Sequence, residues 1–142
     1  MTGAAGSTGR PVPALVDHTR TFWTSGGRGE FTMQRCVACE RLVHPPALRC
    51  PHDHGELRYT ALSGDGVVES WTVANHQFLP GFPPPYLIAF VTPVEDDRVR
   101  VLVNLVDVDP AEVSVGMPVV AVFDHRSADD DEVYVPQFTS RR

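Results

Sequence analysis

Three cysteines within fifteen residues constrain this chain more than any other feature it carries. They stand as Cys36-Val37-Ala38-Cys39, ten intervening residues, then Cys50-Pro51-His52-Asp53-His54-Gly55, and there is no other cysteine. Two thiolates separated by two residues grip one metal from a single tight turn, and a second such turn closes a tetrahedral site with little polypeptide. The pattern reads as a zinc ribbon with an altered last corner, because a repeat of the first turn would put a fourth cysteine where Asp53 stands. His54 is the first choice for the fourth ligand: an imidazole reaches further than a thiolate, and three cysteines with one histidine form a common structural set. Asp53 is the alternative by strict spacing, and His52 ranks third. The competing reading is three buried or free cysteines, but scattered core cysteines would not cluster in this way. A redox C-x-x-C would open a helix after a strand, whereas this one lies between polar turns.

Length and charge narrow the classes. With 142 residues there is room for one ordinary domain, or a small module joined to a larger one. A net charge of −6 with 42% hydrophobic residues describes a globular protein without the basic excess that tracks a phosphate backbone. All twelve cations are arginine, so any anion site must use guanidinium groups or backbone amides. Residues 1–14 lack the apolar core of a signal peptide, and no apolar run approaches the ~20 residues that span a bilayer. A clustered, odd set of cysteines suits a reducing compartment. The expectation is a cytoplasmic protein without a membrane partner.

Along the chain, glycines and prolines in residues 1–14 predict a disordered arm. Leu15, His18, Phe22 and Trp23 recur near helical spacing until Gly26-Gly27, which predicts a short docking helix within residues 15–29. About ten residues do not hold a helix in water unaided, so it must dock on something. Residues 30–56 form the ribbon, too few for a core of their own, so the metal is expected to supply the folding energy. From Leu57 the chain is strand after strand: 57–62, 66–76, 86–93, 98–106, 118–123 and 133–138 are rich in Val, Tyr, Phe and Thr and bounded by Gly, Pro and Asp. The fold class is therefore mainly β, with a short N-terminal helix, a rubredoxin-like zinc ribbon and a five- to six-stranded OB-fold barrel over 57–138, followed by a tail at 139–142. One connection is unusual: Gln77 to Pro85 holds four prolines with Phe78, Leu79 and Phe82, a stiff apolar loop that either folds over the barrel mouth or forms a partner or ligand wall.

The chain offers little chemistry of its own. It has no nucleophile elbow and no cysteine outside the ribbon. His76 and His125 are the only barrel-region histidines; His76, at a strand end beside the proline loop, has no nameable partner for general-base work. The run Asp129 to Asp131 reads as a solvated turn. Gly26-Gly27-Arg28-Gly29 follows a helix instead of opening one, which leaves Arg28 as a weak candidate for a CoA phosphate contact. No catalytic residue is assigned. The alternative class, an OB-fold nucleic-acid- or ligand-binding module, has the acidic balance against it, and the aromatic residues do not alternate with arginines as a stacking platform requires.

These residues together resemble a known family, the acyl-CoA-associated OB-fold proteins with an N-terminal rubredoxin-like zinc ribbon. The resemblance runs from about Phe22 to Phe138. It rests on Phe22-Trp23, Gln34 to Cys39, Pro45-Pro46 and Cys50-Pro51, then Gly64 to Val73, Gly81-Phe82, Pro85 to Ala89, Asn104 to Val106 and Gly116 to Val119. The departure is the fourth metal corner. Members of this family pair with thiolase-fold enzymes such as acyltransferases and retro-aldolases that shorten steroid side chains. The resemblance implies a structural zinc, acyl-CoA as a ligand of the complex, and a hetero-oligomer in which a thiolase-fold subunit keeps the reacting groups. Leu15, Phe22, Trp23, Phe78, Leu79 and Phe82 are the apolar residues expected to face that partner.

Overall fold

The structure, a computed structural model, describes residues 10–141. The chain passes from a short helical segment through a three-stranded sheet into a closed barrel. Helix α1, Arg20–Thr24, runs into a 3-10 turn, Ser25–Arg28, that Gly29 ends at φ 73°. Strand β1, Phe31–Cys36, then pairs antiparallel with β2, Leu42–Val43, on one edge and β3, Leu57–Leu62, on the other. The barrel follows as β4 (Asp65–Ala74), β5 (Tyr86–Pro93), β6 (Val101–Leu105), β7 (Pro118–Ala128) and β8 (Asp131–Ser140), closed in the order β4-β5-β6-β8-β7.

Five strands close the barrel, and the sixth expected one is not among them. The strand at 57–62, placed at the start of the barrel from its sequence, pairs along its whole length with β1, from Phe31↔Leu62 to Cys36↔Leu57. The reason is local: β3 leaves the second cysteine turn directly and returns antiparallel along the strand that entered the first. The expected tail is also partly strand, since β8 extends to Ser140 and Arg141 pairs with Asp65 at 3.0 Å.

Alternation of side chains on each strand fills the barrel with Val68, Val91, Val101, Val119, Val133 and Phe138. Phe22 of α1 and Phe31 and Met33 of β1 belong to the same apolar cluster, so helix, ribbon sheet and barrel share one core. This changes two expectations. The docking helix is shorter than residues 15–29 and docks on its own chain, against β8 and β1. Phe22, expected at a partner interface, is 5% exposed within that core. The ribbon sheet likewise leans on the barrel and not on metal alone. Of the expected disordered arm, residues 1–9 lie outside the described residues, whereas Arg10 is seated on the barrel, its Nη1 3.3 Å from Asp124.

The 3-10 turn approaches the barrel closely enough that only glycine fits. A Cβ on Gly26 would lie 2.5 Å from Phe123 and 2.6 Å from Tyr134. Gly26→Ala should cost about 1–3 kcal/mol in urea unfolding, since relief requires moving the packed Phe123 ring and the Tyr134 Cβ, which the β8 backbone holds. A second liability is His44, beside the Phe22 ring at 4.9 Å between centroids, with Nδ1 buried and without a hydrogen-bond partner among the described residues. Burial lowers its pKa from 6.5 to about 4, so the folded protein holds it neutral. Because the unfolded chain takes up that proton near 6.5, this contribution is intact above that pH and is lost as pH falls toward 4, by up to roughly 3 kcal/mol. Unfolding midpoints measured from pH 7.5 to 4.5 should fall less steeply in His44→Leu than in the wild type.

Candidate metal centre and exposed apolar face

Two turns of nearly the same construction face each other at one end of the ribbon sheet. In the first, the Glu40 amide bonds the Cys36 carbonyl at 2.9 Å and Glu40 takes φ 66°. In the second, the His54 amide bonds the Cys50 carbonyl at 2.8 Å and His54 takes φ 62°. His54 is thus the counterpart of Glu40, and Asp53 the counterpart of Cys39. The ligand atoms of Cys36, Cys39, Cys50 and Asp53 all lie within 4.8 Å of one another. His54 is outside this group and exposed, and His52 sits against Arg41 with its ring nitrogens 3.3 and 3.4 Å from Nη1. The structure therefore brings together the three cysteines with Asp53, the alternative by strict spacing, and not with His54.

The spacing of these atoms fits a metal. A tetrahedron with metal–sulfur bonds of ~2.3 Å and a metal–oxygen bond of ~2.1 Å has S···S edges of about 3.8 Å and S···O edges of about 3.6 Å. Cys39 and Cys50 Sγ are 3.8 Å apart, and Cys36 Sγ lies 3.4 and 3.6 Å from the Asp53 oxygens. Asp53 Oδ1 also accepts the Gly55 amide at 2.8 Å, the bond that chiefly holds its pKa below the usual carboxylate range. A Cβ on Gly55 would stand 2.9 Å from that oxygen and 3.1 Å from Cys36 Sγ, so glycine is required for the carboxylate to reach the cluster. At Cys39 the Arg41 amide favours the thiolate, but desolvation, the neighbouring thiols and the Asp53 charge together raise the pKa to about 11. Four acidic groups this close need a cation to ionise together. Such an ion would be held by Cys36, Cys39, Cys50 and Asp53 and would lock the two turns.

Of the remaining candidates, Arg28 bonds Glu30 through Nε and Nη2 at 3.2 and 3.1 Å, at the surface. His76 is exposed and packs edge-on to Phe78 at 4.8 Å. His125 stacks on Tyr134 and bonds Glu132, and Ser127 donates to that same carboxylate at 2.9 Å instead of to the histidine, so the three make no nucleophile–base pair. Leu15 and Trp23 are half-buried, the latter edge-on to Phe22 at 4.9 Å. Phe78 and Leu79 are 70% and 49% exposed, while Phe82 is half-buried beneath the Arg10 guanidinium, 4.8 Å above its ring.

The structure adds residues that sequence reasoning missed. On the outer face of the barrel, Phe90 lies between Ser70 and Leu102, and Ile88 between Thr72 and Asn104. Leu102 is 60% exposed. Ile88, Leu102 and Asn104, with Tyr86, Leu79 and Phe82, line an open groove of about 290 Å³, and Phe90 beside it lies under the Arg100 guanidinium, 5.3 Å above its ring. The available signal was β5 itself: Tyr86-Leu87-Ile88-Ala89-Phe90-Val91 is apolar on both faces of an antiparallel strand, where one polar face is usual.

Comparison with known proteins agrees with this architecture. The family model for the ChsH2 rubredoxin-like zinc ribbon domain matches residues 23–58, and that for the ChsH2 C-terminal OB-fold domain matches residues 59–124. A probable enoyl-CoA hydratase alpha subunit of Thermomonospora curvata is 37% identical over 132 residues, 91% of this chain. The 3-oxo-4,17-pregnadiene-20-carboxyl-CoA hydratase alpha subunit of Mycobacterium tuberculosis is 36% identical over 112 residues, 78% of this chain. The chain spans only 39% and 35% of those two relatives. Among solved structures, a chain of an Ltp2-ChsH2(DUF35) aldolase superposes with a TM-score of 0.76 at 32% identity, covering 92% of this chain and 100% of that one.

For the metal centre, protein expressed without added zinc should contain close to one zinc per chain. Asp53→Ala should lose it to a chelator at concentrations at least about tenfold lower, while His54→Ala should behave as wild type. Removal of the metal should raise amide exchange in the turns of residues 36–56 and leave the β1–β3 pairing protected, because that sheet is packed on the barrel.

Proposed function

The chain belongs to the ChsH2 family of zinc-ribbon and OB-fold proteins, and on that premise we propose that it is an accessory subunit of a heteromeric enzyme acting on acyl-CoA thioesters. The observation that carries this reading is the outer β5–β6 face with its proline loop, where Phe78, Leu79 and Leu102 stand exposed beside Ile88 and Phe90. A contiguous apolar surface of this kind on an acidic chain is the mark of a site for another protein. The relatives' names agree in kind: two are alpha subunits of hydratases and one is part of an aldolase assembly. Hydratase and aldolase chemistries differ, and what the matched segments share is the ribbon-and-barrel unit. The unit therefore serves assembly and substrate handling, and the reacting groups belong to the partner.

A thiolase-fold subunit is the partner we propose, with a lipid or steroid side-chain thioester as substrate. The ion we assign to Cys36, Cys39, Cys50 and Asp53 is zinc in a structural role: it fixes the turns and takes no part in the reaction. Arg28, paired with Glu30 at the surface, is not proposed as a CoA contact.

Two measurements test the proposal. The purified chain alone should neither cleave nor transfer acyl-CoA thioesters; turnover that disappears in His76→Ala would show the chain to be an enzyme in its own right. Co-expressed with a thiolase-fold subunit, it should form a complex by native mass spectrometry. Phe82→Ala should weaken that complex by at least ~2 kcal/mol, a factor of about thirty, and Leu102→Glu by more, with zinc content unchanged.

A further inference from the structure

The groove on the β5–β6 face is apolar at one end and cationic at the other. At the cationic end two arginines share one carboxylate. Arg10 Nη1 lies 3.3 Å from Asp124 Oδ2, and Arg126 Nε lies 3.2 Å from both Asp124 oxygens. Arg10 is held further by Nη2 donating to Asn104 Oδ1 at 3.1 Å and by the Phe82 ring, and its side chain is only 14% exposed. Asn104 in turn donates to the Leu87 carbonyl at 3.0 Å, so the whole cluster is fixed to the sheet. One positive charge is left over at this point in a chain of net charge −6. Among the described residues no carboxylate other than Asp124 pairs with either arginine. Because Arg126 meets Asp124 through Nε, its two terminal nitrogens are the ones left to fork onto a second carboxylate. A cavity of about 230 Å³ opens there, adjoining the apolar groove and sharing Arg10, Phe82, Tyr86 and Asn104 with it.

We infer that this site docks a protein segment that presents an apolar side chain to the groove and an aspartate or glutamate, a few ångströms away, to Arg126 and Arg10. Charge complementarity chooses the occupant. The surplus guanidinium asks for an anion, and the open groove, lined by exposed Leu79 and Leu102, asks for side chains carried on a chain. The inference rests on the accessory-subunit reading for the identity of the molecule that carries the segment. It also gives Arg10 a role, because its guanidinium both supplies charge and lies over the Phe82 ring that the two cavities share.

The test is a titration of the full-length ¹⁵N-labelled chain with three capped pentapeptides that share leucine and tryptophan and differ only in a following aspartate, asparagine or arginine. The aspartate peptide should shift amides within residues 79–88, 102–105 and 124–126 and bind at least about fivefold more tightly than the asparagine peptide, with the arginine peptide weakest. Arg126→Gln leaves one arginine to one carboxylate and should reduce the aspartate preference to about one. Asp124→Asn leaves two unpaired arginines and should raise it above the wild-type value. Absence of binding up to millimolar peptide, a preference unchanged in Arg126→Gln, or shifts confined to other surfaces would overturn the inference, as would concentration-dependent shifts of these amides without peptide, which mean self-association. A native complex with a thiolase-fold subunit but no aspartate preference sinks this inference alone. An aspartate preference without any such complex supports it and sinks the accessory-subunit reading.

Discussion

Three aromatic rings at the seam between ribbon and barrel hold this molecule together as one body. Phe31 of β1 meets Phe138 of β8 edge-on at 5.4 Å, and Phe22 of α1 meets Phe31 at 6.3 Å. Each ring comes from a different element, and each is almost wholly buried. Edge-to-face pairs of this kind contribute beyond the area they bury and fix the angle between the surfaces that carry them. Without the seam, α1 would be a five-residue helix with no reason to persist and β1 would have a face open to water. With it, the ribbon sheet is a lid on one flank of the barrel, and the metal turns project from a rigid platform.

The metal then has a smaller task than a ribbon of this length would otherwise give it. The cluster around Cys36, Val43 and Cys50 is separate from the main core, so the ion secures the two turns and their immediate supports. Asp53 suits that task. A carboxylate at the fourth corner keeps the same formal charge on the ligand set as a fourth thiolate would, while the hydrogen bond from the Gly55 amide to Oδ1 ties the ligand to its own turn. On the barrel side, Asp96 of the β5–β6 connection is held near pKa 2, first by its side-chain hydrogen bonds from Arg98.

Much of this was legible from residue types because the elements obey local rules. The cysteine spacing announces paired turns, the β-branched runs bounded by Gly, Pro and Asp announce strands, and β3 and β5 fall at the predicted residues. What failed to show in the sequence was tertiary. Strand 57–62 reads the same whether it joins the barrel or returns along β1, because period-2 alternation does not name the partner strand. The stripe of Leu15, Phe22 and Trp23 says that something is covered, but not that the cover of Phe22 and Trp23 is the chain's own core. The choice between Asp53 and His54 turned on the left-handed residue that ends each cysteine turn. Glutamate at 40 and histidine at 54 occupy equivalent places, and nothing in their identities reveals it.

The outer face of β5 follows from the same reasoning run in the other direction. An antiparallel strand in a small barrel needs one apolar face, and Leu87, Ala89 and Val91 provide it. Tyr86, Ile88 and Phe90 form a second, half-buried apolar face outside the barrel core, where Tyr86 packs on Phe82 and Arg100 lies over Phe90. Leu102 extends that face across β6 at 60% exposure, and the proline loop extends it past the strand end through Leu79 and Phe78. Phe78, Leu79 and Leu102 meet water at a cost of about 25 cal/mol per Å² of exposed apolar surface. The cost is recovered only when a second surface covers the face. The two arginines on one carboxylate at its edge then decide which surfaces are accepted, since an apolar patch alone is indifferent to what covers it and a surplus charge is not.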